Sequence, residues 1–233
     1  MNYKGNVGMN KIEEYKALVA ERKACHLCKG LTNPVDIDGG RFDSDQIGAW
    51  SLWQGNINAS LMVVGQDWGD IGYFIRNKGL EGPHNPTNHA LVELVGIGGI
   101  SIGEPGSQEG RDVVFFTNAI LCLKESSGGL QGKVKKEWFN NCAPFLRKQI
   151  EIIHPLVVVG LGEKAYRAIL SSFNIQIVKF RAEVEAKEGR VLPNGIRAFA
   201  VYHCGKRIQN THRSMDVQRK DWERLQPFLK NSR

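Results

Sequence analysis

No apolar run in this 233-residue chain approaches the roughly twenty residues needed to cross a bilayer. The opening residues Met1-Asn2-Tyr3-Lys4-Gly5 lack the apolar core of a signal peptide. These two absences predict a protein of the cytoplasm, or of a nucleus if there is one, with no membrane contact. The glycine cluster Gly96-Ile97-Gly98-Gly99-Ile100-Ser101-Ile102-Gly103 has neither the GxxxxGK[ST] nor the GxGxxG order, so it reads as a loop and not a phosphate cradle. There is no internal repeat and no break in composition. One domain over residues 1–233 is therefore expected, monomeric, with 1–10 loose. Five cysteines without a secretory leader speak against a disulfide framework and for metal or catalytic use. Acidic residues are in deficit, 24 against 31 basic ones, which leaves a formal charge of +7. Such a balance favours an acidic partner, of which nucleic acid is the commonest.

What is present is a pattern repeated four times. Leu61-Met62-Val63-Val64 runs into Gly65-Gln66-Asp67-Trp68-Gly69, and Val113-Val114-Phe115-Phe116 runs into Thr117-Asn118. Leu156-Val157-Val158-Val159 runs into Gly160-Leu161-Gly162, and Ala198-Phe199-Ala200-Val201-Tyr202 runs into His203. A short, continuous apolar run that stops at turn residues suits a strand buried on both faces of a parallel sheet. Helical stretches separate the runs: Lys11 to Lys23, Asn88–Val95 capped by Thr87 or Asn88, Trp138 to His154, Glu163–Ser171, and Met215 to Leu229. The segment 174–197 reads as a hairpin or long connection. Together these give an α/β fold, three layers α/β/α around a four-stranded parallel sheet. Ligands of open α/β sheets bind at the C-terminal strand edge, where Gln66, Asp67, Asn118 and His203 would gather.

Each of these residues has a plain alternative role. Asp67 suits a helix cap or turn, Asn118 could bond local backbone, and one histidine is most often a satisfied core residue. Their recurrence at equivalent strand ends argues for all three together. Cys25 and Cys28 form a CxxC, with Cys122 and Cys142 further on; four thiolates suit zinc or an iron–sulfur cluster, against inert buried thiols as the plain reading. Cys204 is left over as a loop residue. The basic run Lys206-Arg207 … His212-Arg213 reads as a loop overhanging the strand edge, where phosphate contacts are reasonable.

Taken in order, these segments resemble the uracil-DNA glycosylase superfamily, in particular its iron–sulfur-containing (family 4-like) branch. That family has a buried strand ending in GQDPY or GEAPG, against Gly65-Gln66-Asp67-Trp68-Gly69 here. It has a TNVVKC-like segment, against Thr117-Asn118-Ala119-Ile120-Leu121-Cys122. It has C-x-P-F-L … Q-I-x-x-I-x-P, against Cys142-Ala143-Pro144-Phe145-Leu146 … Gln149-Ile150-Glu151-Ile152-Ile153-His154-Pro155. Its last motif opens on a histidine, against His203-Cys204-Gly205. The resemblance covers Ala24 to the C-terminus. It implies a 4Fe–4S cluster (zinc being the alternative) on Cys25, Cys28, Cys122 and Cys142, and a uracil-bearing DNA substrate, single- or double-stranded. It implies catalytic roles for Asp67 and His203 and a base pocket of Gly65, Gln66, Asn118 and His203. It also implies DNA contacts from Lys206, Arg207 and Arg213, with Arg207 or Ile208 filling the gap in the stack. Four departures stand out. Trp68 replaces a proline, and Gly69 stands where some members have tyrosine. Asn85-Pro86-Thr87-Asn88 lacks the family's stacking phenylalanine, leaving Tyr73 or Phe74 as substitutes. Gly205-Lys206 breaks the last motif. A glycosylase for another deaminated base, a catalytically weak or inactive DNA-damage sensor, and a zinc-stapled hydrolase of small nucleotides remain as alternatives.

Overall fold

A computed structural model describes residues 10–82, 85–110, 113–125, 134–176 and 179–230. The first helix, α1 (Lys11–Lys23), has the expected bounds and is closed at its start by a capping box between Asn10 and Glu13. A short strand β1 (Leu31–Thr32) follows, then two 3₁₀ turns, Pro34–Gly40 and Ala49–Leu52. Strand β2 (Leu61–Asp67) leads through α2 (Ile71–Arg76) to α3 (Pro86–Ile97). The third helix begins earlier than its apolar spacing suggests, because Asn85 caps it and Pro86 occupies a first-turn position whose missing N–H costs nothing.

Strand β3 (Phe115–Ile120) is followed at once by β4 (Leu123–Lys124). The sequence predicts a polar loop next, through Ser126-Ser127-Gly128-Gly129 and Lys133–Lys136, most of which lies outside the described residues. Then come α4 (Lys136–Ile153), β5 (Val157–Leu161) and α5 (Glu163–Ser172). Helix α6 (Phe180–Glu185) and the strands β6 (Arg190–Val191) and β7 (Arg197–Val201) fill the segment expected to be a hairpin or connection.

Two expectations are corrected beyond β7. The basic stretch from Lys206 is not a loop but a short helix, α7 (Lys206–Thr211), which buries no side chain and so carries no apolar stripe. The C-terminal helix is two helices, α8 (Met215–Glu223) and α9 (Gln226–Leu229). Pro227 accounts for the break, since its ring would collide with the carbonyl four residues back in a continuous helix.

The main sheet runs β3-β2-β5-β7-β6, with the first four strands parallel as expected and β6 added antiparallel at the edge. Both faces are covered. Met62 and Val64 point to a cluster that includes Leu18 of α1, Ile150 of α4 and Ile169 of α5. Leu61 and Val63 point to the opposite cluster, with Leu91 and Leu94 of α3 and Trp222 of α8. This two-sided burial is why the strands read as unbroken apolar runs and not as alternating ones. Register sets the site. Gly65 pairs with Asn118 across β2 and β3, and Val64 with Gly160, which pairs in turn with Ala200. The polar ends of three strands are thereby brought level.

Candidate active site

A cleft of about 730 Å³ opens at the C-terminal edge of the sheet, and Gly65, Gln66, Asp67, Asn118 and His203 all line it. The Asn118 side chain lies directly over the Gly65 backbone: a Cβ built at position 65 would stand 2.4 Å from Asn118 Oδ1 and 3.0 Å from the Trp50 ring. Glycine is therefore needed there for close approach, not for turn formation. Asn118 is 5% exposed, and among the described residues its amide has no hydrogen-bond partner. An amide that offers one donor and one acceptor is thus aimed into the cleft without a partner of its own.

Asp67 is held from two sides. Lys124 Nζ lies 2.8 Å from its Oδ1, and both side chains are almost fully buried, at 6% and 7% exposure. The Gln66 side-chain amide donates to the other oxygen, Oδ2. Gln66 therefore orients the carboxylate while lining the same cleft. Lys124 itself was not anticipated. The available signal was a lone lysine in the apolar stretch Leu121-Cys122-Leu123, since a charge in such a place requires a partner.

His203 lies two residues beyond β7, next to Gly162, whose φ of +91° lets the β5–α5 turn pass its side chain. The Gly205 N–H donates to His203 Nδ1 at 3.0 Å. In a neutral imidazole the hydrogen must then sit on Nε2, which is free to donate into the cleft. Burial pushes the His203 pKa down, and the nearby Asp67 carboxylate opposes that shift only in part. The neutral form is favoured, so the ring acts as a hydrogen-bond donor and not as a fixed cation.

The three basic candidates divide. Lys206 and Arg207 are exposed at the start of α7, and Arg207 reaches the cleft wall together with Ile208 and His212. Arg213 does not line the cleft. Its guanidinium makes a two-pronged ion pair with Asp221 at 2.6 and 2.7 Å and packs over the Tyr202 ring, so it anchors the α7–α8 turn. Lys164, missed in sequence, adds a cation on the facing wall, at the start of α5. Its signal was its place just after the strand end Leu161-Gly162, the same logic that selected the other candidates. Neither Tyr73 nor Phe74 lines the cleft; Trp50, Trp68 and Glu81 do.

The cysteines form a second constellation behind this edge. Asn33 grips the CxxC loop, its side-chain nitrogen donating to the carbonyls of Arg22, Lys23 and Cys25 while its oxygen accepts from the Val35 N–H. Strand β1 pairs antiparallel with β4, setting Leu31 against Lys124, two residues after Cys122. From α4, Trp138 Nε1 donates to the Lys29 carbonyl at 3.1 Å, and Asn141 Nδ2 reaches Cys28 Sγ at 3.5 Å. Burial pushes the Cys122 and Cys142 thiols up to about 12, and proximity to the thiols of Cys25 and Cys28 adds to the rise for both. Among the described residues no three His, Cys, Asp or Glu side chains are drawn together closely enough to hold a single metal ion. The chemistry of the donor set nonetheless fits a thiolate-bound group: four free cysteines from three separate segments lie within electrostatic reach of one another, and a bound metal would favour the thiolate that burial disfavours. Cys204 stands apart, fully buried, with its Sγ on the Thr87 carbonyl at 3.4 Å.

Comparison with known proteins agrees with this geometry. The family model described as "Uracil DNA glycosylase superfamily" matches residues 52–226. The chain is similar to a type-5 uracil-DNA glycosylase of Pyrobaculum aerophilum, 29% identical over 177 residues, 71% of this chain and 72% of the relative. It is also similar to a type-4 uracil-DNA glycosylase of Thermotoga maritima, 24% identical over 224 residues, 94% of this chain and 96% of the relative. With the family model spanning most of its length and all four parallel strands leading into one cleft, the chain belongs to the uracil DNA glycosylase superfamily, hydrolases of N-glycosyl bonds.

Proposed function

We propose that this protein removes uracil from DNA, leaving an abasic site. The observation that carries the reading is the convergence of Asp67, Asn118 and His203 from three strand ends on one cleft. A base inside a duplex cannot reach such a cleft, so the nucleotide must be flipped out of the stack. Asn118 can then accept from uracil N3–H and donate to O4, whereas cytosine presents the opposite pattern at those atoms. As the glycosidic bond breaks, the sugar gains positive and the base negative charge. The Asp67 carboxylate stands where it can stabilise the sugar and orient the attacking water. His203 Nε2–H can donate to the developing O2 anion, and a preorganised donor of this kind is often the largest single contribution. Lys206, Arg207 and Lys164 are disposed to meet backbone phosphates, with Arg207 or Ile208 entering the gap left by the base.

A 4Fe–4S cluster is proposed on Cys25, Cys28, Cys122 and Cys142, with zinc as the alternative. When bound, such a group would supply structural cross-linking. The chain's own contribution is the β1–β4 pairing, which joins the cysteine-bearing loop to Lys124 and so to Asp67. The test is a labelled oligonucleotide with one uracil, single-stranded or opposite guanine, treated with alkali after incubation. Cutting at uracil and not at cytosine supports the proposal. No cutting of either strand, by protein with its cysteine-bound group intact, removes it.

A further inference from the structure

Asn118 and His203 can engage only the polar edge of a flipped base; its two π faces need a flat partner. The segment 85–88 carries no aromatic residue. Four tryptophan, phenylalanine or tyrosine rings line the cleft, those of Trp50, Trp68, Phe180 and Tyr202. Phe180 and Tyr202 meet each other edge-on at 5.3 Å, and the Arg213 guanidinium covers the Tyr202 ring, so both are engaged with one another and with the α7–α8 turn. Trp50 is 6% exposed and packed on Phe116 at a centroid distance of 4.8 Å, so it serves as floor beneath Gly65. Trp68, the residue after Asp67, is only partly buried.

Its indole is unusually well fixed for a cleft side chain. Nε1–H donates to the Glu81 carboxylate, which also accepts from Asn88 Nδ2 at 2.9 Å and Tyr73 OH at 3.3 Å. The rings of Tyr73 and Phe74 meet the indole in T-shaped contacts at 5.0 and 5.8 Å. Tyr73 and Phe74 thus do not stack on a base; they brace the ring that can. A preset aromatic wall avoids the entropy of ordering a mobile side chain on binding.

We infer that Trp68 is the stacking surface for the flipped base and that Glu81 is a positioning residue acting through the indole N–H. This rests on the proposed base-excision reading of the cleft. The same substitution that departs from the family's motif would then supply the aromatic face missing from residues 85–88.

The test uses a single-stranded oligonucleotide carrying one 2′-fluoro-2′-deoxyuridine, whose glycosidic bond resists hydrolysis, with thymidine in its place as reference. Tryptophan emission should be quenched by the fluorouridine strand in the wild type and not in Trp68→Phe. Trp68→Ala should bind that strand at least about tenfold more weakly, the scale of losing one base–aromatic stack. Glu81→Gln should slow uracil release in the wild-type background and add less than about twofold in the Trp68→Phe background, where the N–H is already gone. Equal effects of Glu81→Gln in both backgrounds would make Glu81 merely structural and overturn its assignment. Quenching that survives in Trp68→Phe, or unweakened binding by Trp68→Ala, overturns the assignment of Trp68 while uracil cutting by the wild type keeps the function. A wild type that neither binds nor cuts the uracil strand in preference removes the function and this inference together.

Discussion

Replacing Lys124 by methionine isolates the device that holds Asp67. The two side chains are 2.8 Å apart and almost fully buried. Removing one partner of such a pair typically costs about 3–5 kcal/mol, mainly because the other charge is left buried without compensation. Here Gln66 still donates to Asp67 Oδ2 and the cleft borders the carboxylate, which places Lys124→Met near the lower bound, about 3 kcal/mol. For a chain of this length, that corresponds to a fall in Tm of roughly 6–12 °C. Asp67→Asn leaves Lys124 buried without its carboxylate, a comparable loss. The double variant removes both charges, so its destabilisation should fall short of the sum by about 1–3 kcal/mol. Urea unfolding of the four proteins measures this as a shift in midpoint at constant slope. Iron and zinc analysis of each sample checks that the proposed cysteine-bound group is equally present in all four, since Lys124 lies two residues from Cys122. Additivity to within about 0.5 kcal/mol would refute the pairing as an energetic unit.

Other consequences follow from the same geometry. Gly65→Ala drives a methyl group into Asn118 Oδ1, so uracil release should fall about a hundredfold, the scale of an ångström of misplacement, while circular dichroism stays that of the wild type. Burial lowers the His203 pKa below its ordinary 6.5, so the unfolded chain binds more protons than the folded one in the window beneath that value. Stability is then complete above pH 6.5 and declines as pH falls toward the lowered folded pKa. An NMR titration of the His203 ring should give a midpoint below 6.5, and one above it would contradict the neutral, donating form assigned to the ring. Serine at Cys25, Cys28, Cys122 or Cys142 should abolish the brown colour and acid-labile sulfide of anaerobically purified protein, whereas Cys204→Ser should leave both unchanged. Zinc in place of iron on elemental analysis would replace the cluster by the alternative metal.

The four parallel strands were legible because strands covered on both faces must be apolar throughout, and each ends where its chain turns polar. The edge logic then located Asp67, Asn118 and His203 without any knowledge of register. The two-residue strands β1, β4 and β6 are too short to leave a pattern, yet β1 and β4 decide how the cysteine loop meets the active site. Helix α7 was illegible for a related reason: it buries nothing. Pairings distant in sequence were also beyond reach, among them Lys124 with Asp67, 57 positions apart, and Glu81 with Trp68. Arg213 illustrates the converse. Its position in a basic run suggested a DNA contact, but a buried aspartate eight residues on claims its guanidinium.

The most direct test of the central claim is single-turnover release of uracil from a single-stranded oligonucleotide by the wild type and by Asp67→Asn, at matched fold and metal content. The expected result is excision by the wild type, reduced by about 10²–10⁴-fold in the variant, with binding of the uracil strand largely kept. Equal rates for the two proteins would contradict the role given to Asp67. Absence of release by the wild type would contradict the function itself.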